Sequence, residues 1–120
     1  MATIELTTDN FKETISAYDV VVIDFWADWC GPCRSFAPTF TAASEKYPDI
    51  AFAKVDTEAQ QELAAAFNIR SIPTLMVFRE QIILYAEAGA LPASALDQLV
   101  EQVRGLDMET VRKEIEAQAN

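Results

Sequence analysis

The two cysteines of this chain lie in one short segment, Trp29-Cys30-Gly31-Pro32-Cys33, directly after an apolar run. A disulfide between thiols separated by two residues closes a minimal loop, and the stability that a disulfide confers grows with loop length. Such a bond stabilises little and is suited to being made and broken. The spacing therefore predicts thiol–disulfide chemistry. The alternative is that both cysteines are merely small buried residues, which their pairing at this spacing disfavours.

The segments on either side of the cysteines predict where the thiols lie in the fold. Residues 20–27 are β-branched, aromatic and apolar, apart from one acid, which is the pattern of a central strand buried on both faces. Pro32 suits the first turn of a helix that begins at the cysteines and continues to about Tyr47. Pro38 lies inside this helix and predicts a kink. A C-x-x-C placed between a buried strand and a helix is a strong redox signal.

The rest of the chain alternates strands with helices, which predicts an α/β fold with a central mixed five-stranded sheet flanked by helices. The last two strands are expected to form an antiparallel hairpin. The predicted strands are residues 3–6, 20–27, 50–56, 74–79 and 82–88, and the predicted helices begin after an N-cap at Thr8 or Asp9, at Cys30, after a capping box of Thr57 and Gln60, at Pro92 and after an N-cap at Asp107.

The length of 120 residues predicts one domain with its own core. Gly105 is the one candidate boundary, so we expect the domain at residues 1–105 and a C-terminal helical extension at residues 106–120. Met108, Val111 and Ile115 form a narrow apolar stripe in the extension. We expect this helix to dock on the domain, and the alternative is that its stripe binds a specific partner.

The composition argues against several classes of function. The formal net charge is −10, which disfavours nucleic acid and anionic membrane surfaces and favours a monomer. The sequence shows no signal peptide and no apolar run long enough to span a bilayer, so a cytoplasmic protein is expected. Two cysteines and no histidine do not make a zinc site, so we expect no metal.

The predicted position of Cys30 at a helix N-terminus assigns the two thiols different roles. Free backbone N–H groups and the positive end of the helix dipole lower the pKa of a thiol there. Cys33 lies one turn further and is expected to be more buried. The prediction is that Cys30 attacks a substrate disulfide and Cys33 resolves the mixed disulfide. Gly31 and Pro32 add no charge and no histidine, which favours reduction over oxidation of substrates.

Three residues outside the cysteine segment are candidates for the same site. Asp24 lies in the buried strand, where desolvation is expected to raise its pKa and make it a proton acceptor for Cys33. The alternative is a solvated acid at a strand edge. The peptide bond before Pro73 lies at a sharp turn into a strand, where cis is a minority conformation on residue type alone. Spacing alone predicts an exposed Lys54.

With these residues assembled, the chain resembles the thioredoxin family over residues 1 to about 105. The order of the matching segments is far more specific than the C-x-x-C alone. The segments are Val22-Ile23-Asp24-Phe25-Trp26-Ala27, Trp29-Cys30-Gly31-Pro32-Cys33, Ala37-Pro38, Lys54-Val55-Asp56, Ile69-Arg70-Ser71-Ile72-Pro73-Thr74-Leu75 and Gly89-Ala90-Leu91.

The resemblance implies a thioredoxin fold and a protein-disulfide reductase. It implies that Lys54 modulates Asp24, and that Pro73 is cis, faces the disulfide and has catalytic importance. The Ile72 backbone would pair with an extended substrate. The electron donor would be an NADPH-dependent flavoprotein reductase, so this chain need bind neither NADPH nor flavin. The implied docking surface consists of Trp29, Gly31, Pro32, Ile72, Pro73, Gly89 and Ala90.

The sequence departs from the family pattern at the predicted hairpin turn. Glu80-Gln81 stands where many members have Asn-Gly, and a two-residue type I′ turn requires positive φ at both positions. We therefore expect a different turn or a longer loop. Ala88 is smaller than the usual aliphatic residue beside Gly89, which is expected to weaken one docking contact.

Two other functions compete with disulfide reduction. The first is a binding or chaperone-like module whose partner contacts, and not its thiols, are the function. An intact C-x-x-C and a buried Asp24 argue against it, because docking needs neither. The second is an oxidant that forms disulfides, which Gly31 and Pro32 disfavour.

Overall fold

The structure, a computed structural model, describes residues 3–119. Its five strands form one mixed sheet in the order β1-β3-β2-β4-β5. β1, β3 and β2 run parallel, while β4 is antiparallel to both β2 and β5. The predicted mixed five-stranded sheet is therefore confirmed. The strands are β1 (Ile4–Glu5), β2 (Val20–Trp26), β3 (Ala51–Asp56), β4 (Thr74–Arg79) and β5 (Ile82–Ala88).

Helices cover both faces of this sheet, as predicted. The core on one face takes buried residues from the second and fourth helices, and the core on the other face takes them from the first and third. Along residues 3–119, no helix is both long enough and apolar enough to cross a bilayer. The helices are α1 (Phe11–Ala17), α2 (Gly31–Lys46), α3 (Gln61–Ala66), α4 (Ala93–Gly105) and α5 (Met108–Ala119).

β2 is the buried central strand that the sequence predicts. Val22 contributes to the core beneath α2 and α4, while Ile23 and Phe25 contribute to the opposite core. Because side chains alternate along a strand, Asp24 and Trp26 lie on the same face as Val22. β2 ends four residues before Cys30 and so delivers the cysteine segment to the edge of the sheet, where α2 begins and continues through Pro38.

The predicted N-cap of α1 is wrong by one or two residues. Asn10 occupies this position, and neither Thr8 nor Asp9 does. The Asn10 side chain does not cap the helix. Its Oδ1 accepts a hydrogen bond from the Thr7 backbone N–H at 2.7 Å, which closes the preceding turn instead. Tyr18 lies just past the helix as its C-cap.

The predicted capping box before α3 is also wrong. The Thr57 hydroxyl donates to the Trp26 carbonyl oxygen at 3.0 Å, and Gln60 Oε1 accepts from the Thr8 backbone N–H at 3.2 Å. Both side chains therefore bond to segments distant in sequence. The two side-chain oxygens therefore make tertiary hydrogen bonds and are not available to cap α3.

The turn between β4 and β5 contradicts the expectation of a longer loop. Arg79 pairs in register with Ile82, so only two residues connect the strands. Glu80 and Gln81 adopt φ of 52° and 68°, the positive values that a type I′ turn requires. Contacts on both sides hold this conformation, since the Glu80 backbone N–H donates to the Asp19 carbonyl oxygen at 2.9 Å and its carboxylate pairs with Arg112.

The last helix docks on the domain through its first turn. Asp107 caps it as predicted, accepting from the Glu109 backbone N–H at 3.1 Å and from the Thr110 hydroxyl at 2.9 Å, and these bonds lower the pKa of its carboxyl. Met108 is 5% exposed, whereas Ile115 is 45% exposed. The apolar stripe is thus covered at its beginning and open further along.

Arg79 connects α4 to the start of the last helix. Its Nη1 donates to the carbonyl oxygens of Val103, Arg104 and Leu106 at 2.8, 3.1 and 2.9 Å. These carbonyls lie at the C-terminal end of α4, where a helix runs out of N–H donors, and the Val103 carbonyl also accepts from the Leu106 backbone N–H at 3.3 Å. One guanidinium therefore satisfies the end of α4 and fixes the path of the chain into α5.

Candidate active site

The two cysteines form a disulfide at the N-terminus of α2. Cys30 is the N-cap residue, and its Sγ accepts a hydrogen bond from the Cys33 backbone N–H at 3.2 Å. The same N–H and the helix dipole are available to a thiolate on Cys30 when the bond is reduced. The cap position therefore favours the anionic form of this sulfur, as the sequence predicts.

The predicted difference in burial between the cysteines is wrong for this disulfide form. Cys30 and Cys33 are each 3% exposed. Cys30 is covered because its Sγ lies 3.7 Å from the Ile72 carbonyl oxygen of the facing loop. A disulfide sulfur has no hydrogen to donate, so this is a packing contact. Trp29, immediately before Cys30, is 67% exposed.

The loop that faces the disulfide contains the cis peptide bond implied by the resemblance, between Ile72 and Pro73. Two short hydrogen bonds fix the loop. The Thr74 hydroxyl donates to the Ser71 carbonyl oxygen at 2.5 Å, and the Gly89 backbone N–H donates to the Pro73 carbonyl oxygen at 2.7 Å. These bonds bring the loop and the end of β5 together beside the sulfurs.

The docking residues named in the sequence analysis differ in their accessibility. Trp29, Gly31, Pro32, Gly89 and Ala90 are exposed, Ile72 is half-buried and Pro73 is buried. Pro73 therefore does not form part of the accessible area of the predicted docking surface. Gly89 has a φ of 109°, a conformation that side chains disfavour, so glycine suits the bend at the edge of the surface.

Asp24 is a fully buried carboxylic acid. Its exposed fraction is 0%, and neither carboxyl oxygen has a hydrogen-bond partner within residues 3–119. Burial raises the pKa of Asp24 from 3.8 to about 6, and the positive charge of Lys54 limits the rise. The prediction of a desolvated acid with a raised pKa is confirmed, and the alternative of a solvated acid is wrong.

Lys54 lies beside Asp24, as the resemblance implies. The two residues are register partners on the parallel strands β2 and β3. Lys54 is half-buried, so the exposed position expected from spacing alone is wrong. Its Nζ lies 4.9 Å from the centre of the Trp26 ring, within the range of a cation–π interaction.

Trp26 is a residue of this site that the sequence analysis did not single out. It is half-buried, and its indole Nε1 is buried without a hydrogen-bond partner in the described part of the chain. The signal was present in the sequence, because residues two apart on a strand share a face and Trp26 follows Asp24 by two. Pairing with β3 was needed to show that Lys54 joins them.

Metal ligation is not supported by the arrangement of side chains. Between residues 3 and 119, His, Cys, Asp and Glu form no group of three or more placed to hold a metal ion. The reactive group of the site is the cysteine pair.

A mixed sheet with a C-x-x-C disulfide at a helix N-terminus, and a buried carboxyl in the strand that leads to it, is the arrangement of a thiol–disulfide oxidoreductase. A sequence profile described as Thioredoxin matches residues 2–102. The chain belongs to the thioredoxin family, and its activity is the reduction of protein disulfides by the Cys30–Cys33 pair. Membership implies disulfide-containing protein substrates and a reductase that restores the dithiol.

Relatives from bacteria share much of the chain. It is 54% identical over 117 residues to "Putative thioredoxin 2" of Streptomyces coelicolor, covering 98% of this chain and 87% of that protein. It is 39% identical over 103 residues to "Thioredoxin 1" of a Nostoc species, covering 84% of this chain and 96% of the relative.

Solved structures share the fold. A mutant thioredoxin from Halobacterium salinarum superposes with a TM-score of 0.82 at 33% identity, covering 88% of this chain and 94% of that one. Thioredoxin from Plasmodium falciparum gives a TM-score of 0.76 at 36% identity, covering 83% of this chain and 98% of that one.

Proposed function

We propose that Cys30 is the attacking thiolate in disulfide reduction and that Cys33 is the resolving thiol. The observation that carries this assignment is the hydrogen bond from the Cys33 backbone N–H to Cys30 Sγ at the start of α2. An N–H donor and a helix dipole directed at one sulfur stabilise its anion, and the thiolate is the nucleophile. Cys33 lies inside the first turn, where its own N–H is directed at Cys30.

The proposed reaction proceeds through a mixed disulfide. The Cys30 thiolate attacks one sulfur of the substrate disulfide, forms a Cys30–substrate bond and releases the other substrate sulfur as a thiolate. The Cys33 thiolate then attacks Cys30 Sγ, which releases the second substrate thiolate and forms the Cys30–Cys33 disulfide. The substrate gains two electrons and the protein dithiol loses two.

Asp24 is proposed to accept the proton that Cys33 must lose before it attacks. A general base works best when its pKa lies near the operating pH. Burial brings the pKa of Asp24 to about 6, closer to neutrality than an ordinary aspartate. Lys54 is proposed to modulate this carboxyl because its charge keeps the pKa from rising further.

The substrate is proposed to dock on the exposed surface around Cys30. Trp29 offers the largest exposed apolar side chain there. The Ile72 carbonyl oxygen lies 3.7 Å from Cys30 Sγ, which supports strand-like pairing of this backbone with an extended substrate. Pro73 is proposed to shape this loop in the cis form. The full set of proposed docking residues is Trp29, Gly31, Pro32, Ile72, Pro73, Gly89 and Ala90.

The surroundings of the reaction are also proposals. An NADPH-dependent flavoprotein reductase is proposed to supply the two electrons that regenerate the dithiol, so this chain requires no bound cofactor. A cytoplasmic location suits a reductant, because the thiol pools there are reducing. A monomer with a domain at residues 1–105 and a helical extension at residues 106–120 is the proposed organisation.

Two single substitutions test the assignment of the thiols. The reduced protein is mixed with a model disulfide protein, and products are resolved on non-reducing gels and by intact mass. Cys33→Ser is expected to accumulate a covalent mixed disulfide through Cys30, whereas Cys30→Ser is expected to show neither turnover nor adduct. If Cys30→Ser traps the substrate and Cys33→Ser does not, the two roles are reversed.

A further inference from the structure

The α2-covered face of the sheet contains a buried acid, a cation and an aromatic ring next to one another. Asp24 and Trp26 share this face of β2, and Lys54 lies opposite Asp24 on β3. The Lys54 ammonium lies 4.9 Å from the centre of the Trp26 ring. The Lys54 side chain is half-buried, so packing against its neighbours restricts its conformation.

The Lys54 ammonium has no carboxylate partner among the ion pairs of residues 3–119. A long lysine side chain in this situation normally extends toward water. An aromatic face within about 6 Å of the charge attracts it electrostatically, most strongly when the ring is an indole. The Trp26 ring is thus the contact that the Lys54 ammonium makes on the face that carries Asp24.

We propose that Trp26 is a positioning residue, whose indole face holds the Lys54 ammonium where its charge acts on the Asp24 carboxyl. Trp26 itself touches neither the substrate nor the sulfurs in this inference. It sets the electrostatic environment of the proton acceptor through the lysine. The inference rests on the proposed role of Asp24 for its functional consequence, though not for the contact itself.

Few other charges face Asp24. Its register partner on β4 is Leu75, which carries none, and α4 presents apolar residues to this core. α2 contributes the Cys30–Cys33 disulfide, in which neither sulfur titrates. Asp56 follows Lys54 by two on β3, but its carboxylate accepts from two backbone N–H groups of the next turn, at 3.0 and 3.3 Å. Lys54 is therefore the charge that acts on the Asp24 carboxyl.

The direct test is a titration of the Asp24 carboxyl carbon by NMR in the disulfide form. Lys54→Met is expected to raise the pKa of Asp24 by about one pKa unit, because it removes a neighbouring opposite charge. Trp26→Leu is expected to give most of that rise, since the released ammonium moves into water. Trp26→Phe retains a weaker aromatic face and is expected to give an intermediate value, which also guards against a folding defect in Trp26→Leu.

A double substitution separates positioning from packing. If Trp26 acts through Lys54, Trp26→Leu adds no further rise in the Lys54→Met background. A matched control is Lys46→Met, which removes a cation 5.6 Å from the Tyr47 ring at the other end of α2 and is expected to leave the pKa of Asp24 unchanged. The upfield ring-current shift of the Lys54 side-chain protons should disappear in Trp26→Leu and persist in Lys46→Met.

Two results would overturn the inference. One is a Trp26→Leu protein whose Asp24 titrates as in the parent while Lys54→Met shifts it. The other is an equal rise from Trp26→Leu with and without Lys54, which would mean that the ring acts by altering burial. The pH profile of Cys33 attack on a trapped mixed disulfide tests the proposed function separately. If this pH profile does not shift when the pKa of Asp24 is shown to change, the positioning role of Trp26 stands and the assignment of Asp24 as proton acceptor is wrong.

Discussion

The most quantitative prediction concerns Asp24→Ala. The pKa of this carboxyl is about 6 in the folded protein, against 3.8 for an ordinary aspartate. At 1.36 kcal/mol per pKa unit, ionised Asp24 costs the fold about 3 kcal/mol, and the attraction of Lys54 is already included. Removing the side chain also loses packing worth about 1 kcal/mol. We expect Asp24→Ala to stabilise the protein by about 2 kcal/mol above pH 6.

The stability difference between Asp24→Ala and the parent is expected to change with pH, and the raised pKa of Asp24 fixes the direction of that change. A carboxyl with a raised folded pKa binds its proton more tightly in the folded state, so its destabilising effect grows as pH rises. Below the ordinary value of 3.8 the group is protonated in both states and the cost vanishes, and above about 6 the cost is complete. The variant should therefore be more stable than the parent in mildly alkaline buffer and about 1 kcal/mol less stable well below pH 3.8, where only the lost packing remains.

Urea unfolding of the disulfide form at a series of pH values measures this difference. Asp24→Asn retains the volume and is expected to show the same pH dependence with a smaller loss in acid. Asp9→Ala removes an exposed acid and should change stability by no more than about 0.5 kcal/mol. The reasoning about burial would be refuted if Asp24→Ala were less stable than the parent in alkaline buffer. It would also be refuted if the difference in unfolding free energy between the two proteins did not change with pH.

Three further predictions concern the hairpin turn and the last helix, each checked by urea unfolding alongside a disulfide-reduction assay. Arg79→Met should destabilise the protein by about 2 kcal/mol, because three carbonyl oxygens lose a charged donor, and a change below about 0.5 kcal/mol would contradict this. Gln81→Gly should stabilise it by about 0.5 to 1 kcal/mol, since φ at this position is 68°, and destabilisation would contradict the turn geometry. Deleting residues 106–120 should cost about 1.5 to 3 kcal/mol through the lost burial of Met108 while disulfide reduction continues unchanged. A deletion that leaves both stability and reduction unchanged would favour a partner-binding role for the extension.

Much of the fold was predictable because its signals are local and strong. An uninterrupted apolar run identified β2, and the position of the cysteines after it identified the start of α2. The buried acid in that run predicted a raised pKa before any contact was known. The wrong predictions concern polar side chains that could bond either locally or to distant segments. Thr57 and Gln60 were predicted to cap α3, but both form hydrogen bonds with distant segments.

The difference between local preference and tertiary contact also explains the turn at Glu80. Neither Glu80 nor Gln81 favours positive φ, and residue type alone predicts a longer connection. The registered pairing of β4 with β5 and the bonds from Glu80 to Asp19 and Arg112 hold the two-residue turn. Contacts formed only in the folded chain outweigh a local cost of about 1 kcal/mol per residue.

The sequence by itself determined the chemistry, since two thiols two residues apart after a buried strand admit little else, and it determined the desolvation of Asp24, since its neighbours are apolar. Only the tertiary structure decided which groups act on that chemistry. Lys54 reaches Asp24 because β3 lies parallel to β2 in one register, and Trp26 meets Lys54 across the same pair of strands. The burial of Asp24 follows from its apolar neighbours along the chain, whereas the charges and rings that lie near it depend on which strands pair side by side.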